Sequence, residues 1–260
     1  MLRRLVGLSV LVIAAPLFAQ EAAKDKSAWR GETALGYSKE SGNTNETKVN
    51  FSQKVIYDAR PWLNTLTLSG KGSTTEVAMA DGSTTDQHTS EAYYLTEQLD
   101  HFFGGSSSYA FARATWEKDR FNGYEQQMTG VLGYGNELFS NDLINFKVEV
   151  GIGQRSDELS EPLTDSEGTA YVAGDKIDET LAYFSDQFVW KMSEGAEFGQ
   201  SLNVEYADIN TVSRFKVYVK AQLISSVAMK VSYEIKHQEI VAADKDKRDE
   251  ILMASLLYSF

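Results

Sequence analysis

Strict alternation of apolar and polar residues, sustained well beyond the length of an ordinary strand, is the feature that most constrains this chain. In the segment from Phe198 to Tyr206 the even positions are mostly apolar, whereas Ser201, Asn203 and Glu205 are polar. From Arg214 to Ala221 the pattern recurs, with Phe215, Val217, Val219 and Ala221 on one face, and again from Met229 to Lys236. A period of two places successive side chains on opposite faces of a strand, so each segment has one apolar and one polar face. Strands of soluble sheets usually run about 5–6 residues. Repeated strands of about 9–11 residues or more fit the thickness of a bilayer crossed at a tilt.

Read this way, the sequence contains twelve such segments: 29–38, 46–57, 62–75, 89–102, 108–117, 124–139, 143–156, 176–190, 196–207, 212–223, 228–239 and 250–260. The segments 89–102 and 250–260 would pass as helices on propensity alone, and their context makes them strands. The intervening connections alternate between longer and shorter, with 208–211 as the short exception among the longer set. Long loops at one end and short turns at the other are the arrangement of an outer-membrane barrel. Proline cannot donate to a ladder, and the three prolines, Pro16, Pro61 and Pro162, all fall outside these segments. The expected fold is all-β: an antiparallel up-and-down transmembrane β-barrel of about 12 strands.

The N-terminus agrees. Arg3 and Arg4 precede a short apolar run from Leu5 to Ala15, and Pro16-Leu-Phe-Ala19 resembles a cleavage site. A membrane-spanning helix needs about 20 apolar residues, so the run reads as a secretory signal peptide. The expected organisation is therefore a leader over 1–19, a short periplasmic segment over 20–28 and the barrel over 29–260. The chain has no cysteine, so no disulfide holds the fold in an oxidising compartment. Its net charge is −12, and loss of the leader removes two further arginines. Such a surface repels phosphate backbones, which argues against nucleic acid as a partner.

Aromatic rings prefer the headgroup level of a membrane. Trp29, Trp62 and Trp190 fall at one set of strand ends, joined by Tyr57, Tyr109, Phe139 and Tyr258. Trp116 falls at the other, with Tyr37, Tyr124 and Tyr206. Two aromatic girdles are expected. Opposite the apolar faces stand Lys48, Lys54, Arg113, Glu117, Glu125, Lys147, Glu149, Glu205, Arg214, Lys216, Lys230, Glu234 and Lys236. Buried charges need partners or water, so these residues either pair across strands or line a narrow wet channel. Twelve strands lie between filled eight-stranded barrels and open sixteen-stranded porins, so a small or occluded pore is expected.

The chain closes on Leu252-Met-Ala-Ser-Leu-Leu-Tyr-Ser-Phe260, whose even positions are mostly apolar. This ending resembles the signal that the barrel-assembly machinery reads in bacterial outer-membrane proteins, with Phe260 as its aromatic terminus. Trp29-Arg-Gly-Glu-Thr-Ala-Leu-Gly-Tyr-Ser and Ser41-Gly-Asn-Thr-Asn are similar to the start of a family of bacterial outer-membrane proteins described as salt-induced. So are Trp116 to Tyr124, Gly133-Tyr-Gly135, Val204 to Thr211 and Leu257-Tyr-Ser-Phe260. The resemblance covers nearly all the chain from Trp29. It implies outer-membrane location, barrel architecture, contact with lipid and lipopolysaccharide, and a link to salt or osmotic stress. The family's domain has no assigned function, so no catalytic residues carry over.

Chemistry is sparse. His88-Thr-Ser90 places a histidine and a serine on one face at a strand end, as a barrel hydrolase needs, but no third group stands out to orient the imidazole. His101 and His237 are isolated. Asp244-Lys-Asp-Lys-Arg-Asp249 lacks the glycine and bidentate glutamate of a calcium loop. No cofactor or metal is called for. A narrow passive channel or structural envelope protein is the leading expectation. An outer-membrane lipid or peptide hydrolase, and a receptor or adhesin acting through the acidic loops at 76–88 and 157–175, stand as alternatives. A two-residue turn at Ile209-Asn210 would set Glu205 opposite Arg214 and Asn203 opposite Lys216, all facing the lumen.

Overall fold

In the computed structural model the alternating segments are strands; the structure describes residues 28–40, 45–79, 83–120, 122–242 and 245–260. The expected leader over 1–19, most of the short segment after it, residues 41–44 and 80–82 of two loops, and Asp244 lie outside the described residues. The strands are β1 (Trp29–Glu40), β2 (Asn45–Ala59), β3 (Trp62–Ala78), β4 (Thr84–Phe102), β5 (Ser108–Asp119), β6 (Tyr124–Ser140) and β7 (Ile144–Leu159). Two two-residue strands, β8 (Leu163–Thr164) and β9 (Ala170–Tyr171), form a small hairpin of their own. The chain continues as β10 (Lys176–Ser193), β11 (Ala196–Ala207), β12 (Val212–Ile224), β13 (Val227–Gln238) and β14 (Arg248–Ser259).

Leaving β8 and β9 aside, each strand pairs antiparallel with its sequence neighbours, and β1 pairs with β14 to close a twelve-stranded barrel. Both segments with helical propensity, β4 and β14, are strands: packing between two neighbouring strands overrides a weak local preference. Closure leaves every interior strand with a partner on each side, so no full-length edge remains. The closing seam is the shortest ladder, running from Glu32 opposite Ser259 to Leu35 opposite Leu256. Below it, Gly31 and Phe260 exchange two backbone hydrogen bonds of 3.0 Å, each N–H donating to the other's carbonyl. A Cβ on Gly31 would stand 2.4 Å from the Phe260 ring, so glycine there lets the ring lie over the β1 backbone.

Short connections at 60–61, 103–107, 141–143, 194–195 and 225–226 define one end of the barrel, the turn end. The longer connections define the loop end, which also holds the β8–β9 hairpin. The two faces of the wall are opposite in character. Outside, Leu132, Ile152 and Leu252 are 67%, 73% and 76% exposed. Inside, Glu117, Glu149, Arg155 and Asp157 are buried. This inverts the arrangement of a water-soluble sheet, which buries its apolar face.

Two local departures correct the sequence reading. A bulge between Tyr124 and Gln126 turns Glu125 outward, where it is exposed and pairs with Lys118 rather than facing the lumen. A second bulge puts His88 opposite Thr74 and Ser90 opposite Ser73. Thr74 lies on the outer face and Ser73 is buried inside, so His88 and Ser90 occupy opposite faces of the wall.

Candidate functional site

The lumen is where chemistry-bearing side chains converge. The strand phase turns Lys48, Arg113, Glu149, Glu205, Arg214, Lys216 and Glu234 toward it, with Lys48 exposed at the loop-end rim. Lys216 with Glu234 and Arg113 with Gln98 bond as direct cross-strand partners, whereas Glu205 and Arg214 do not. On β11 and β12, Glu205 stands opposite Val212 and Arg214 opposite Asn203, two residues from the expected register. The cause is the loop at 208–211, where Thr211 donates its hydroxyl to the Ala207 carbonyl in place of a two-residue turn. Arg214 still reaches Glu205 diagonally at 3.6 Å, but its shorter bond, 2.5 Å, goes to Glu117 on β5.

That bond crosses the lumen. Glu117 also accepts a bond from Lys236 on β13, and β5 and β13 are diametrically opposite, with five strands between them either way round. A second group continues the bridge. Arg155 on β7 pairs with Asp157 at 3.2 Å, Glu179 at 2.7 Å and Glu205 at 3.6 Å. Lys71 pairs with Asp119 at 3.7 Å on the other flank. These charges are taken out of water, and each is offset by a partner of opposite sign, as buried charges require.

Above this network, toward the loop end, apolar side chains form a cap: Tyr124, Leu159, Leu163, Ile177 and Ile240, with Tyr171 and Ile209 against them. Asn210 joins cap to network. Its side-chain amide donates to the Tyr124 hydroxyl (3.1 Å), its Oδ1 accepts from the Ile240 N–H (3.2 Å), and its carbonyl accepts from Arg155. Glu179 accepts the backbone N–H groups of Ile209 and Asn210. The short connection at 208–211 thus folds over the lumen because its polar groups are held from inside.

Below the network lies a one-sided apolar ledge of Phe102, Tyr109, Phe111, Val131, Leu181, Tyr183 and Ala207. Glycines on the adjacent strand β6 make room for it: a Cβ on Gly133 would stand 2.5 Å from the Phe111 ring, and one on Gly135 would stand 2.3 Å from Tyr109. Glu149 is set in this ledge, accepting from Gln98 (2.9 Å), Tyr109 (2.8 Å) and Lys147 (3.2 Å). Arg113 donates to the Gln98 side-chain oxygen at 3.1 Å. At the turn-end mouth, Arg60 reaches Asp58 and Glu137, each at 3.4 Å, and lies over the Phe102 ring.

Of the aromatic residues placed in girdles, Trp29, Trp62, Trp190 and Tyr258 are exposed on the outer face at the turn end, with Tyr57 and Phe139. Trp116 is half-buried on the outer wall toward the loop end and donates its indole N–H to Gln126 at 3.2 Å. Tyr37 and Tyr206 are exposed near the same end. Tyr109 and Tyr124 are corrections: both are 1% exposed, one in the lumen ledge and the other in the cap. Arg155, Asp157, Glu179 and Asn210 were not singled out from sequence. For Arg155 and Asp157, alternation with Glu149 carried the signal of inward facing; Glu179 shares its face with apolar Ile177, Leu181 and Tyr183, which hid it. Nothing local marked Asn210. Among the described residues no group of three or more histidines, aspartates or glutamates is arranged to hold a metal ion.

Comparison with known proteins places the chain as follows. It is 25% identical over 242 residues to the Uncharacterized protein YdiY of Escherichia coli (strain K12), covering 91% of this chain and 85% of that one. Among solved structures it is similar to the COG4313 outer membrane channel from Pseudomonas putida F1, with a TM-score of 0.46 and 10% identity over 92% of this chain and 97% of the other. It is similar also to the NanC porin, with a TM-score of 0.45 and 10% identity over 88% and 97%. The family model described as "Protein of unknown function, DUF481" matches residues 33–260, and the chain belongs to that family.

Proposed function

We propose that this chain is an integral outer-membrane barrel serving as a narrow passive channel, closed in the state described by the salt-bridged constriction and its cap. One observation carries the reading: a closed barrel exposes large apolar side chains outside and lines its interior with charge. An apolar outer band is stable against lipid tails and is an aggregation hazard in water. A lumen lined with polar and charged groups suits a path that water and ions enter. The outer wall meets lipid and lipopolysaccharide, and the barrel-assembly machinery delivers Phe260 to its place beside Gly31. The test is planar-bilayer recording with the refolded mature chain. Rare, brief unitary openings are expected; a chain that inserts and never conducts overturns the channel reading. Recovery of the mature chain as a soluble periplasmic monomer overturns the location. The link to salt stress is tested by growth of a deletion strain at raised osmolarity.

A further inference from the structure

The turn-end half of the lumen holds two cations that its carboxylates leave over. Five lysines face one another there: Lys54 on β2, Lys147 on β7, Lys216 and Lys220 on β12, and Lys230 on β13. The carboxylates beside them are committed to other lysines, and Asp100, buried in the same half, accepts from the Gln98 amide at 2.9 Å. Lys220 is held between Glu32 at 3.3 Å and Glu197 at 3.2 Å, so one cation consumes two anions. Lys216 takes Glu234 at 2.9 Å, and Lys147 takes Glu149 at 3.2 Å. Glu32 is the direct cross-strand partner of Lys54, yet its carboxylate is turned to Lys220. Among the described residues, no carboxylate lies within ion-pairing distance of Lys54 or Lys230.

Lys230 makes the imbalance sharper. It stands directly opposite Lys220 in the ladder, a like-charge pairing that costs free energy. Its ammonium lies 4.4 Å from the centre of the Tyr218 ring, which offers an attractive face and no negative charge. Lys230 lies in the field of Lys216, Lys54 and Lys220, Lys54 in that of Lys147 and Lys220, and the Glu32 carboxylate acts on both from beyond ion-pairing distance. An ammonium with no carboxylate beside it inside a protein is stabilised by water, by an aromatic face or by a bound anion, and otherwise gives up its proton.

We propose that Lys54 and Lys230 form an anion site in the lumen, taking one small anion of the phosphate or carboxylate class between them. Resting on the channel reading, the site makes conduction anion-selective although the chain as a whole carries a net charge of −12. Fixed charge lining the path of an ion biases which sign passes, whatever the sign of distant loops. Overall acidity would by itself give the opposite, cation preference.

Reversal potentials in a KCl gradient decide the selectivity. Chloride is expected to permeate better than potassium, and Lys54→Gln with Lys230→Gln should lower that preference by about threefold or more. Potassium preference in the wild type, or an unchanged ratio in the double variant, overturns the proposal. Folding of the variant is checked by heat-modifiable migration; it should persist, because no salt bridge is lost. If the barrel inserts without conducting, the channel reading fails, and the site is judged by binding of inorganic phosphate. In that case phosphorus NMR line broadening by the micellar wild type, absent with the double variant, supports the site, and no broadening by the wild type overturns it.

Discussion

Glu117→Gln is the perturbation whose consequences the geometry specifies most fully. The Glu117 carboxylate is 2% exposed and accepts from Arg214 at 2.5 Å and from Lys236. Those two cations are direct cross-strand partners, so Glu117 is what allows them to face each other. Without it, Arg214 keeps Glu205 at 3.6 Å, whereas Lys236 keeps no carboxylate within ion-pairing distance among the described residues. Removing one member of a buried pair costs about 3–5 kcal/mol, because the other charge is left uncompensated. Opposed like charges add to that cost. Urea unfolding of the refolded barrel in lipid vesicles should show a loss in this range. Lys236→Met introduced into the Glu117→Gln chain should recover at least about 1 kcal/mol, the scale of coupling between residues in contact. The same change removes the cross-lumen bridge. A bias of about 3 kcal/mol toward the closed arrangement corresponds to a factor of roughly 150, so open time in bilayer recordings should rise by up to that factor. Stability within about 1 kcal/mol of the wild type, the size of an ordinary point substitution, would refute the reasoning. So would an additive double variant.

Three further outcomes are expected. Phe260→Asp should lower the fraction of heat-modifiable barrel on unboiled gels far more than Glu167→Ala in the exposed loop, because Phe260 pairs with Gly31 at the closing seam; equal yields would dissociate Phe260 from assembly. Gly135→Ala should destabilise the barrel by about 1–3 kcal/mol through overpacking, since the added Cβ meets the Tyr109 ring, and Tyr109→Ser should relieve much of it in urea unfolding. Ser201→Cys combined with Lys216→Cys should cross-link on oxidation, as the two positions are directly opposed; preferential cross-linking of Asn203→Cys with Lys216→Cys would restore the register expected from a two-residue turn.

Alternation determined much of this protein without tertiary information. Side-chain parity is a local property of an extended chain, so the sequence alone placed the barrel strands, the apolar outer band and the inward phase of Arg113, Glu149, Glu205 and Lys236. Parity says which face a residue takes, and nothing about what it meets there. Bulges reverse parity, and neither the one at Glu125 nor the one between His88 and Ser90 has a sequence signature distinct from regular strand. Turn length fixes register, and the bonds that make 208–211 a longer loop come partly from Glu179 and Arg155 on other strands. Tyr109 reads as a girdle aromatic, yet it points inward, where Gly135 on the next strand vacates the space it fills. Only closure decided the rest. Glu117 and Lys236 lie 119 residues apart and meet because twelve strands bend into a ring that sets them face to face.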